Sequence, residues 1–255
     1  MDCRRAFGRA VGDSDYLMTD SRFDLIIAFR DRGSDHHRAA NLASAVRWWR
    51  DHGVEPLVVD DGRSGTEQFN RSAAYNRGAA MTTAPVLVYS EADMLVPMDQ
   101  ILEAVELATE EPGLVIPFSR FMSMDKDDSC RVRDRTLHPF DAKAEQVRGD
   151  CQSIGAVNVM SRDSLSMIGQ FDSVFSGHAY DDDATELAFR ICCGPTRFVR
   201  GPGWHQWHVP GAFYATPEST EQDRAATERN RQRYELYRAA TTPERIRELT
   251  GGSLA

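Results

Sequence analysis

The stretch FDLIIAF at residues 23–29 is a nearly continuous apolar run. Such a run is typical of a short strand that is buried on both of its faces. Two similar segments follow, one over residues 54–62, which ends in Asp-Asp-Gly, and one over residues 86–90, VLVYS. Helical patterns separate them at 36–52 and 67–81. The alternation of strands and helices predicts an α/β fold with a mainly parallel central sheet flanked by helices.

The rest of the chain continues in the same way. Residues 119–150 are charged and irregular, which predicts a long loop. The sequence around this loop predicts strands at 113–118, 155–160 and 197–199 and helices at 99–111, 162–168 and 183–193. Two further helices are expected near the end of the chain, at 218–240 and after Thr242, which precedes a proline at the first helical position.

Composition narrows the class of protein. The 255 residues carry a formal net charge of −9, which disfavours a general nucleic-acid surface. No apolar run reaches the roughly 20 residues that cross a bilayer. The five cysteines lack the paired spacing of a zinc site and indicate reduced thiols. We therefore expect a cytoplasmic protein with no nucleic-acid partner and no membrane span, in which residues 1–22 form a leader.

Acidic side chains follow the third predicted strand. Glu91 and Asp93 are separated by one residue, and such a pair at a strand end can hold a hard divalent cation. A solvated acidic turn is the alternative. The pair His205 and His208 lies far along the chain and offers imidazole nitrogens to a metal, or else belongs to an ordinary turn.

Two further groups of charged residues are candidates for catalysis and for ligand binding. The run at residues 181–183 places three aspartates before a predicted helix. These either complement the helix N-terminus or supply a general base whose pKa is raised by its neighbours. Arginines at 30, 32 and 71 lie beside Phe29 and Phe69. Arginine can bind phosphate and an aromatic ring can stack on a base, although salt bridges on the protein surface are the simpler explanation.

In their order and spacing these segments resemble the motifs of the β-1,4-galactosyltransferase family, a group of GT-A glycosyltransferases. The resemblance extends from about residue 24 to 210 and rests on five segments: AFRDR (28–32), FNRSAAYNRG (69–78), SEADMLVPM (90–98), GHAYDDD (177–183) and HQWH (205–208). It implies a Rossmann-like GT-A catalytic domain over residues 23–216, with a nucleotide-binding half at 23–98 and an acceptor and metal half at 99–216. Residues 217–255 then form a C-terminal helical extension.

The resemblance also implies roles for individual residues. Asp93 and His208 are implied as ligands of Mn²⁺ or Mg²⁺, with His205 facing the same ion. Asp182 is implied as the catalytic base and Asp181 as the residue that binds an acceptor hydroxyl. Ser153 occupies the position that, in the family, gates the 2-substituent of the donor sugar. The full set implied to bind a nucleotide sugar is Phe29, Arg30, Arg32, Asp60, Asp61, Phe69, Arg71, Glu91, Ala92 and Ser153.

The function expected from this resemblance is metal-dependent, inverting transfer of a sugar from a UDP-sugar, or another nucleotide sugar, to an acceptor hydroxyl. The acceptor is a glycan, a protein or a small molecule, and the source is microbial or viral. Three alternatives stay open. The first is a retaining transferase acting on protein Ser or Thr, similar to the polypeptide N-acetylgalactosaminyltransferases, whose Glu-x-x-x-Arg helix resembles residues 186–190. The others are a sugar nucleotidyltransferase and a non-catalytic module that binds sugar nucleotides.

Overall fold

The computed structural model describes residues 22–33, 35–209 and 220–251. Nearly all of the expected leader, and the expected boundary between residues 216 and 217, lie outside the described residues. The strands are β1 (Phe23–Ala28), β2 (Leu57–Val59), β3 (Val86–Ser90), β4 (Met94–Leu95), β5 (Val115–Ile116), β6 (Arg120–Met124), β7 (Ala144–Arg148), β8 (Val157–Ser161), β9 (Arg197–Phe198) and β10 (Pro202–His205). The helices are α1 (His36–Asp51), α2 (Arg71–Ala80), α3 (Met98–Glu110), α4 (Lys126–Arg133), α5 (Arg162–Ile168), α6 (Asp181–Cys193), α7 (Glu221–Arg238) and α8 (Pro243–Thr250), with a 3-10 turn at Pro139–Asp141.

The main sheet has the strand order β2-β1-β3-β8-β5-β9. Strand β1 pairs in parallel with β2 and with β3, and β5 pairs in parallel with β9. Strand β8 is antiparallel to both of its neighbours. The expected α/β fold with a mainly parallel, helix-flanked sheet is therefore confirmed, and the one reversed strand lies near the middle of this sheet.

Burial explains why these apolar runs form the sheet. Every residue of β3 is buried, as are four consecutive residues of β1 from Leu25 to Ala28. Helix α2 packs closely on β1, because a Cβ atom at Gly78 would lie 2.5 Å from Cγ2 of Ile26. Glycine at this position lets the helix approach the strand, and removal of these side chains from water stabilises the two-layer contact.

A second sheet, with the order β4-β10-β6-β7, forms where the sequence predicted a loop. The prediction of a loop over 119–150 is wrong: the segment contains β6, α4, the 3-10 turn and β7. Strand β6 pairs in parallel with β10, which lies far along the chain, and antiparallel with β7. Four of the five residues of β7 are exposed, so no alternating apolar pattern marks it.

The two C-terminal helices, α7 and α8, have the expected helical character and pack against α5 and α6. Asp172, in the connection between α5 and α6, accepts hydrogen bonds from Tyr237 Oη at 3.0 Å and from Arg233 Nε at 2.7 Å. The contact fixes α7 beside the start of α6. Among the described residues, no helix combines the length and the apolar character that a membrane crossing requires.

Candidate active site

Asp93, His205 and His208 meet at the junction of the two sheets. Strands β4 and β10 are antiparallel, with His205 opposite Met94, and the backbone N–H of Gln206 donates to the carbonyl of Asp93 at 2.9 Å. This register brings His205 Nε2 to 3.6 Å from Asp93 Oδ1. His208 Nε2 lies 3.2 Å from Asp93 Oδ2. One ligand atom from each of the three side chains lies within 4.8 Å of the other two.

The segment after β10 is held by residues that the sequence did not single out. The backbone N–H of Trp207 donates to Ser129 Oγ at 2.8 Å, and that of Val209 donates to Asp35 Oδ2 at 2.8 Å. Asn41, which is fully buried in α1, donates to the carbonyl of Trp207 at 3.1 Å. These contacts fix the backbone on both sides of His208. Asp35 is the N-cap of α1, and nothing in the sequence linked it to residue 209.

The chemistry of this cluster fits a divalent cation. Asp93 is 4% exposed, and its Oδ1 makes no hydrogen bond within the described part of the chain. Burial of a carboxylate oxygen without a hydrogen bond costs free energy unless a cation or a water molecule contacts that oxygen. His208 Nδ1 lies 2.7 Å from the carbonyl of Val209. Donation of the Nδ1 proton to that carbonyl leaves Nε2 as the free lone pair.

The protonation of His205 also suits a metal ligand. Burial lowers the pKa of His205, and the nearby His208 lowers it further, against the opposing charge of Asp93. The neutral imidazole is the form that coordinates a metal. One carboxylate and two imidazoles form a ligand set that accepts Mn²⁺, since imidazole and carboxylate both bind first-row divalent metals.

Arg71, the first residue of α2, binds three carboxylates from two other parts of the chain. Its guanidinium donates to Asp181 Oδ2 at 2.6 Å and to Asp182 Oδ1 at 2.7 Å, and it also pairs with Glu91. Asp181 and Asp182 lie in the first turn of α6, whereas Glu91 follows β3. Because Glu91 is two residues from Asp93, the carboxylate cluster lies at the same edge of the sheet as the candidate metal ligands.

Asp182 is the most perturbed carboxyl of this cluster. Its partial burial raises the pKa of Asp182 to about 7; Arg71 opposes the rise, and Asp181 and Glu91 add to it. A carboxylate with a pKa near neutrality is a better proton acceptor than an ordinary aspartate. The arrangement therefore places a carboxylate suited to general-base chemistry beside the candidate metal ligands.

Gly155 makes room for this carboxyl, and no pattern in the sequence indicated that role. A Cβ atom at residue 155 would lie 2.5 Å from Asp182 Cγ and 2.8 Å from Oδ1. Gly155 precedes β8, whose antiparallel pairing with β3 brings it beside the end of β3. Only a residue without a side chain leaves the space that Asp182 occupies.

Arg30 and Asp61, two of the residues implied to bind the nucleotide, are engaged with each other in the structure. Arg30 Nε donates to Asp61 Oδ1 at 2.7 Å, with no exposure of the Asp61 side chain. The other nitrogens of Arg30 donate to the carbonyls of Gly65 and Glu67, each at 2.8 Å. Asp61 Oδ2 also accepts from the backbone N–H of Asn70. The pair holds the loop between β2 and α2 against β1.

The other implied nucleotide-binding residues lie around the same loop. Asp60 is exposed and pairs with Arg77, and Arg32 donates to the carbonyl of Thr66 at 2.9 Å. Phe69 packs on the core with the Arg30 guanidinium 6.0 Å from its ring centre. The remaining members of the set are partly exposed: Phe29, Ala92 and Ser153. These placements leave their role in nucleotide binding a prediction.

A second group of potential ligands, Asp35, His36 and His37, has a structural explanation. Asp35 is the N-cap of α1 and accepts the backbone N–H of His37 at 2.9 Å. Its second oxygen accepts the N–H of Val209. Both carboxylate oxygens are thus used by the backbone, and the group serves to fix the start of α1.

No protein-family model matches the chain, and no curated protein matches it either. Among solved structures, the catalytic domain of Drosophila beta1,4-galactosyltransferase 7 in complex with xylobiose is 16% identical, with 81% of this chain and 79% of that chain covered and a TM-score of 0.43. Mannosyltransferase PcManGT from Pyrobaculum calidifontis, in complex with GDP-Man and Mn²⁺, is 15% identical, with coverage of 94% and 72% and a TM-score of 0.45.

A third solved structure is glucosyl-3-phosphoglycerate synthase from Mycobacterium tuberculosis in complex with Mn²⁺ and UDP-glucose. It is 12% identical, with 85% of this chain and 78% of that chain covered and a TM-score of 0.49. At these identities the likenesses concern the fold alone. The reaction is therefore inferred from the residues of the candidate site.

Proposed function

We propose that this chain is a metal-dependent glycosyltransferase of the GT-A type. It transfers a sugar from a UDP-sugar, or another nucleotide sugar, to an acceptor hydroxyl, with inversion at the anomeric carbon. The observation that carries the proposal is the convergence of Asp93, His205 and His208 beside the carboxylates held by Arg71. A cation site next to a carboxylate of raised pKa supplies the two kinds of group that such a transfer needs.

Asp93, His205 and His208 are the residues that would hold Mn²⁺ or Mg²⁺. When bound, the cation offsets the negative charge that builds up on the diphosphate leaving group. Oxygen-rich leaving groups such as diphosphates are common partners of these cations. His208 supports this role because its Nδ1 contact with Val209 directs Nε2 towards Asp93.

Asp182 acts as the general base in this proposal. Its carboxylate takes the proton from the acceptor hydroxyl as that oxygen attacks the anomeric carbon of the donor. The bond from the anomeric carbon to the phosphate oxygen breaks, and its electron pair leaves with the nucleoside diphosphate. Asp182 Oδ1 accepts a hydrogen bond from Arg71. The Asp182 side chain is 35% exposed, so its carboxylate is accessible to an acceptor.

Arg71 and Asp181 position the base. Arg71 donates to both aspartates through one nitrogen, so the two carboxyl groups are fixed relative to each other. Asp181 is the residue proposed to bind the acceptor hydroxyl. Its 15% exposed side chain lies in the same first turn of α6. Fixed geometry of this kind lowers the entropic cost of bringing acceptor and base together.

The experiment that tests the proposal uses the purified chain with a panel of UDP- and GDP-sugars, with Mn²⁺ and with EDTA. We expect donor binding and release of the nucleoside diphosphate that depend on Mn²⁺ and are lost in the Asp93→Ala variant. Turnover that is indifferent to EDTA and to this substitution would overturn the proposal. Tight donor binding without turnover on any acceptor would instead favour a binding module.

The stereochemical part of the proposal has its own test. Proton NMR of the first product identifies the anomer formed. An inverted anomer supports attack assisted by Asp182, whereas a retained anomer supports the alternative mechanism. In that alternative Glu186 and Arg190, which lie four residues apart on α6, become the residues to mutate.

A further inference from the structure

Asn230 of α7 holds the segment that leads into Asp181 and Asp182. Its Nδ2 lies 3.1 Å from the carbonyl of Ser176, 3.0 Å from that of His178 and 3.2 Å from that of Ala179. Its Oδ1 accepts the backbone N–H of Ser176 at 3.2 Å. One amide side chain thus contacts the backbone of residues 176–179 on both its donor and acceptor sides.

The burial of Asn230 makes these contacts important. The residue is 3% exposed, although it lies on a helix whose other side chains are mostly charged. A buried amide is costly to leave unpaired, and here its donor and acceptor both find backbone partners. The Asn230 side chain therefore makes its hydrogen bonds with the backbone of residues 176–179 and not with water.

The backbone of this segment needs such support. Ala179 has a φ of 77° and Tyr180 a φ of 69°, both in the left-handed region that non-glycine residues rarely adopt. Such a conformation is energetically unfavourable for a residue with a side chain and persists when the surrounding structure holds it. Tyr180 is also the residue before α6, so its conformation sets the direction in which Asp181 and Asp182 enter the site.

Other contacts from the same helix act on the same segment. The rings of Tyr180 and Tyr234 are stacked, with centroids 5.6 Å apart. Asp223, in the first turn of α7, accepts from Gln68 Nε2 at 2.6 Å, and the backbone N–H of Gly177 donates to the carbonyl of Phe69 at 2.8 Å. Helix α7 therefore braces residues 176–180 directly through Asn230 and Tyr234, and indirectly through the contact of Asp223 with Gln68, the neighbour of Phe69.

We propose that Asn230 is a positioning residue for the general base Asp182, acting through the backbone of residues 176–180. This inference rests on the proposed function and extends it to the C-terminal helical extension, which becomes a working part of the active site. Without the amide, the carbonyl of Ala179 loses its hydrogen-bond partner, and the left-handed conformations at Ala179 and Tyr180 relax. The first turn of α6 then shifts, and Asp182 no longer faces the acceptor in a reactive geometry.

The test compares three variants of the full chain. Asn230→Ala removes the amide, and Asn230→Asp keeps an acceptor for the Ser176 N–H but removes the Nδ2 group that donates to the backbone carbonyls. Tyr234→Ala, at a half-buried position, removes the stacked ring and keeps the proposal testable if the Asn230 variants fold poorly. Tyr237→Phe is the matched control, because it deletes a buried hydrogen bond from α7 to Asp172 and leaves residues 176–180 untouched.

Two readouts separate positioning from mere stability. In steady-state kinetics with the nucleotide sugar, we expect kcat to fall about 10- to 100-fold in both Asn230 variants. The fall in Tyr234→Ala should be smaller, and KM for the donor should change less than threefold. In hydrogen–deuterium exchange, peptides covering residues 176–180 should exchange faster in the variants than in the Tyr237→Phe control. Exchange is measured without substrate and does not depend on the reaction assigned.

The outcomes are distinct from those of the proposed function. Normal kcat in Asn230→Ala, together with unchanged exchange at 176–180, overturns the positioning role even if the wild-type chain is an active transferase. An equal loss of kcat in Tyr237→Phe also overturns it, since that would reflect general loosening of α7. Faster exchange at 176–180 in the Asn230 variants, together with a wild-type chain that transfers no sugar, would refute the function and leave the brace as a structural feature only.

Discussion

His208 Nε2 lies 3.2 Å from Asp93 Oδ2, although the two residues belong to distant parts of the chain. The approach depends on the antiparallel pairing of β4 with β10 and on the anchoring of residues 207–209 by Ser129 and Asp35. Asp93 Oδ1 is buried and has no hydrogen-bond partner among the described residues, so a cation at this position would satisfy it. The approach of His208 to Asp93 therefore predicts that the chain binds a divalent metal ion.

We expect Mn²⁺ to stabilise the wild-type chain and not the Asp93→Asn variant. Ligand binding to the folded state alone stabilises it by about 2.7 kcal/mol at a concentration one hundred times the dissociation constant. Titration calorimetry and thermal unfolding with and without MnCl₂ measure the effect. Asp99→Asn, an exposed aspartate at the start of α3, is the matched control and should retain it. Equal Mn²⁺ stabilisation in both variants would refute the assignment of Asp93.

The pH dependence of turnover should follow Asp182. Because a general base must be deprotonated, and the pKa of Asp182 is raised to about 7, kcat should rise with pH up to about 7 and then level off. Asp182→Asn should lower kcat by about 10² to 10⁴-fold while the donor still binds. The measurements are kcat from pH 5 to 9 and donor affinity by calorimetry. A flat profile with an active Asp182→Asn variant would contradict the role of base.

The same residue should make the free energy of unfolding depend on pH. The pKa of Asp182 is higher in the folded chain than its usual value of 3.8, so the folded state binds more protons between pH 4 and 7. Its contribution to stability is present below about pH 4 and is lost as the pH rises through about 7. Asp182→Asn should remove this loss.

Urea unfolding at pH 5 and pH 8 measures this effect. With 35% of the Asp182 side chain exposed, solvent screening limits the difference between wild type and Asp182→Asn to about 1 kcal/mol over this interval. Glu103→Gln, at an exposed position of α3, serves as a control that changes charge away from the site. If the free energy of unfolding changed with pH by the same amount in the wild type and in Asp182→Asn, the pKa of Asp182 would not be raised.

Gly155→Ala should disable the site more than it disturbs the fold. The added methyl group would overlap the Asp182 carboxyl, which must move away, so we expect kcat to fall by at least about 10-fold. Gly149→Ala is the control, since a Cβ there meets Gln152 Nε2 at an ordinary 3.6 Å. Steady-state kinetics and thermal unfolding of both variants are the measurements. Full activity in Gly155→Ala would mean that Asp182 does not need its observed position.

Arg30→Lys should lower stability, because Arg30 holds the β2–α2 loop. Lysine cannot reproduce the contacts to Asp61, Gly65 and Glu67, and it leaves the buried Asp61 carboxylate short of partners. We expect a loss of about 2 kcal/mol in the free energy of unfolding, measured in urea. Arg50→Lys is the control, an exposed pair with Glu55. A loss of donor affinity at unchanged stability would instead favour direct phosphate binding by Arg30.

Local chemistry in the sequence was enough to place most helices and buried strands. The helix expected after Ser161 begins there, with the Ser161 hydroxyl accepting from the N–H of Ser164, and it ends at Gly169 with a φ of 93°. Thr242 caps α8 as expected. Caps and continuous apolar runs depend on neighbouring residues, so the sequence shows them directly.

The second sheet could not be predicted in this way. Strand β6 exists because it pairs with β10 and β7, and the exposed, polar β7 carries no apolar pattern of its own. Pairing between distant segments is decided by the whole fold, and a window of neighbouring residues does not contain it.

The sequence by itself determined which side chains are available for chemistry: Asp93, His205, His208 and the aspartates at 181–183. Their mutual distances were decided only by the tertiary structure. The β4–β10 register brings the histidines to Asp93, Arg71 collects three carboxylates, and Gly155 and Asn230 give Asp182 its space and direction. The physical reason is that side-chain chemistry is a property of single residues, whereas a distance between them exists only once packing and backbone pairing have fixed both.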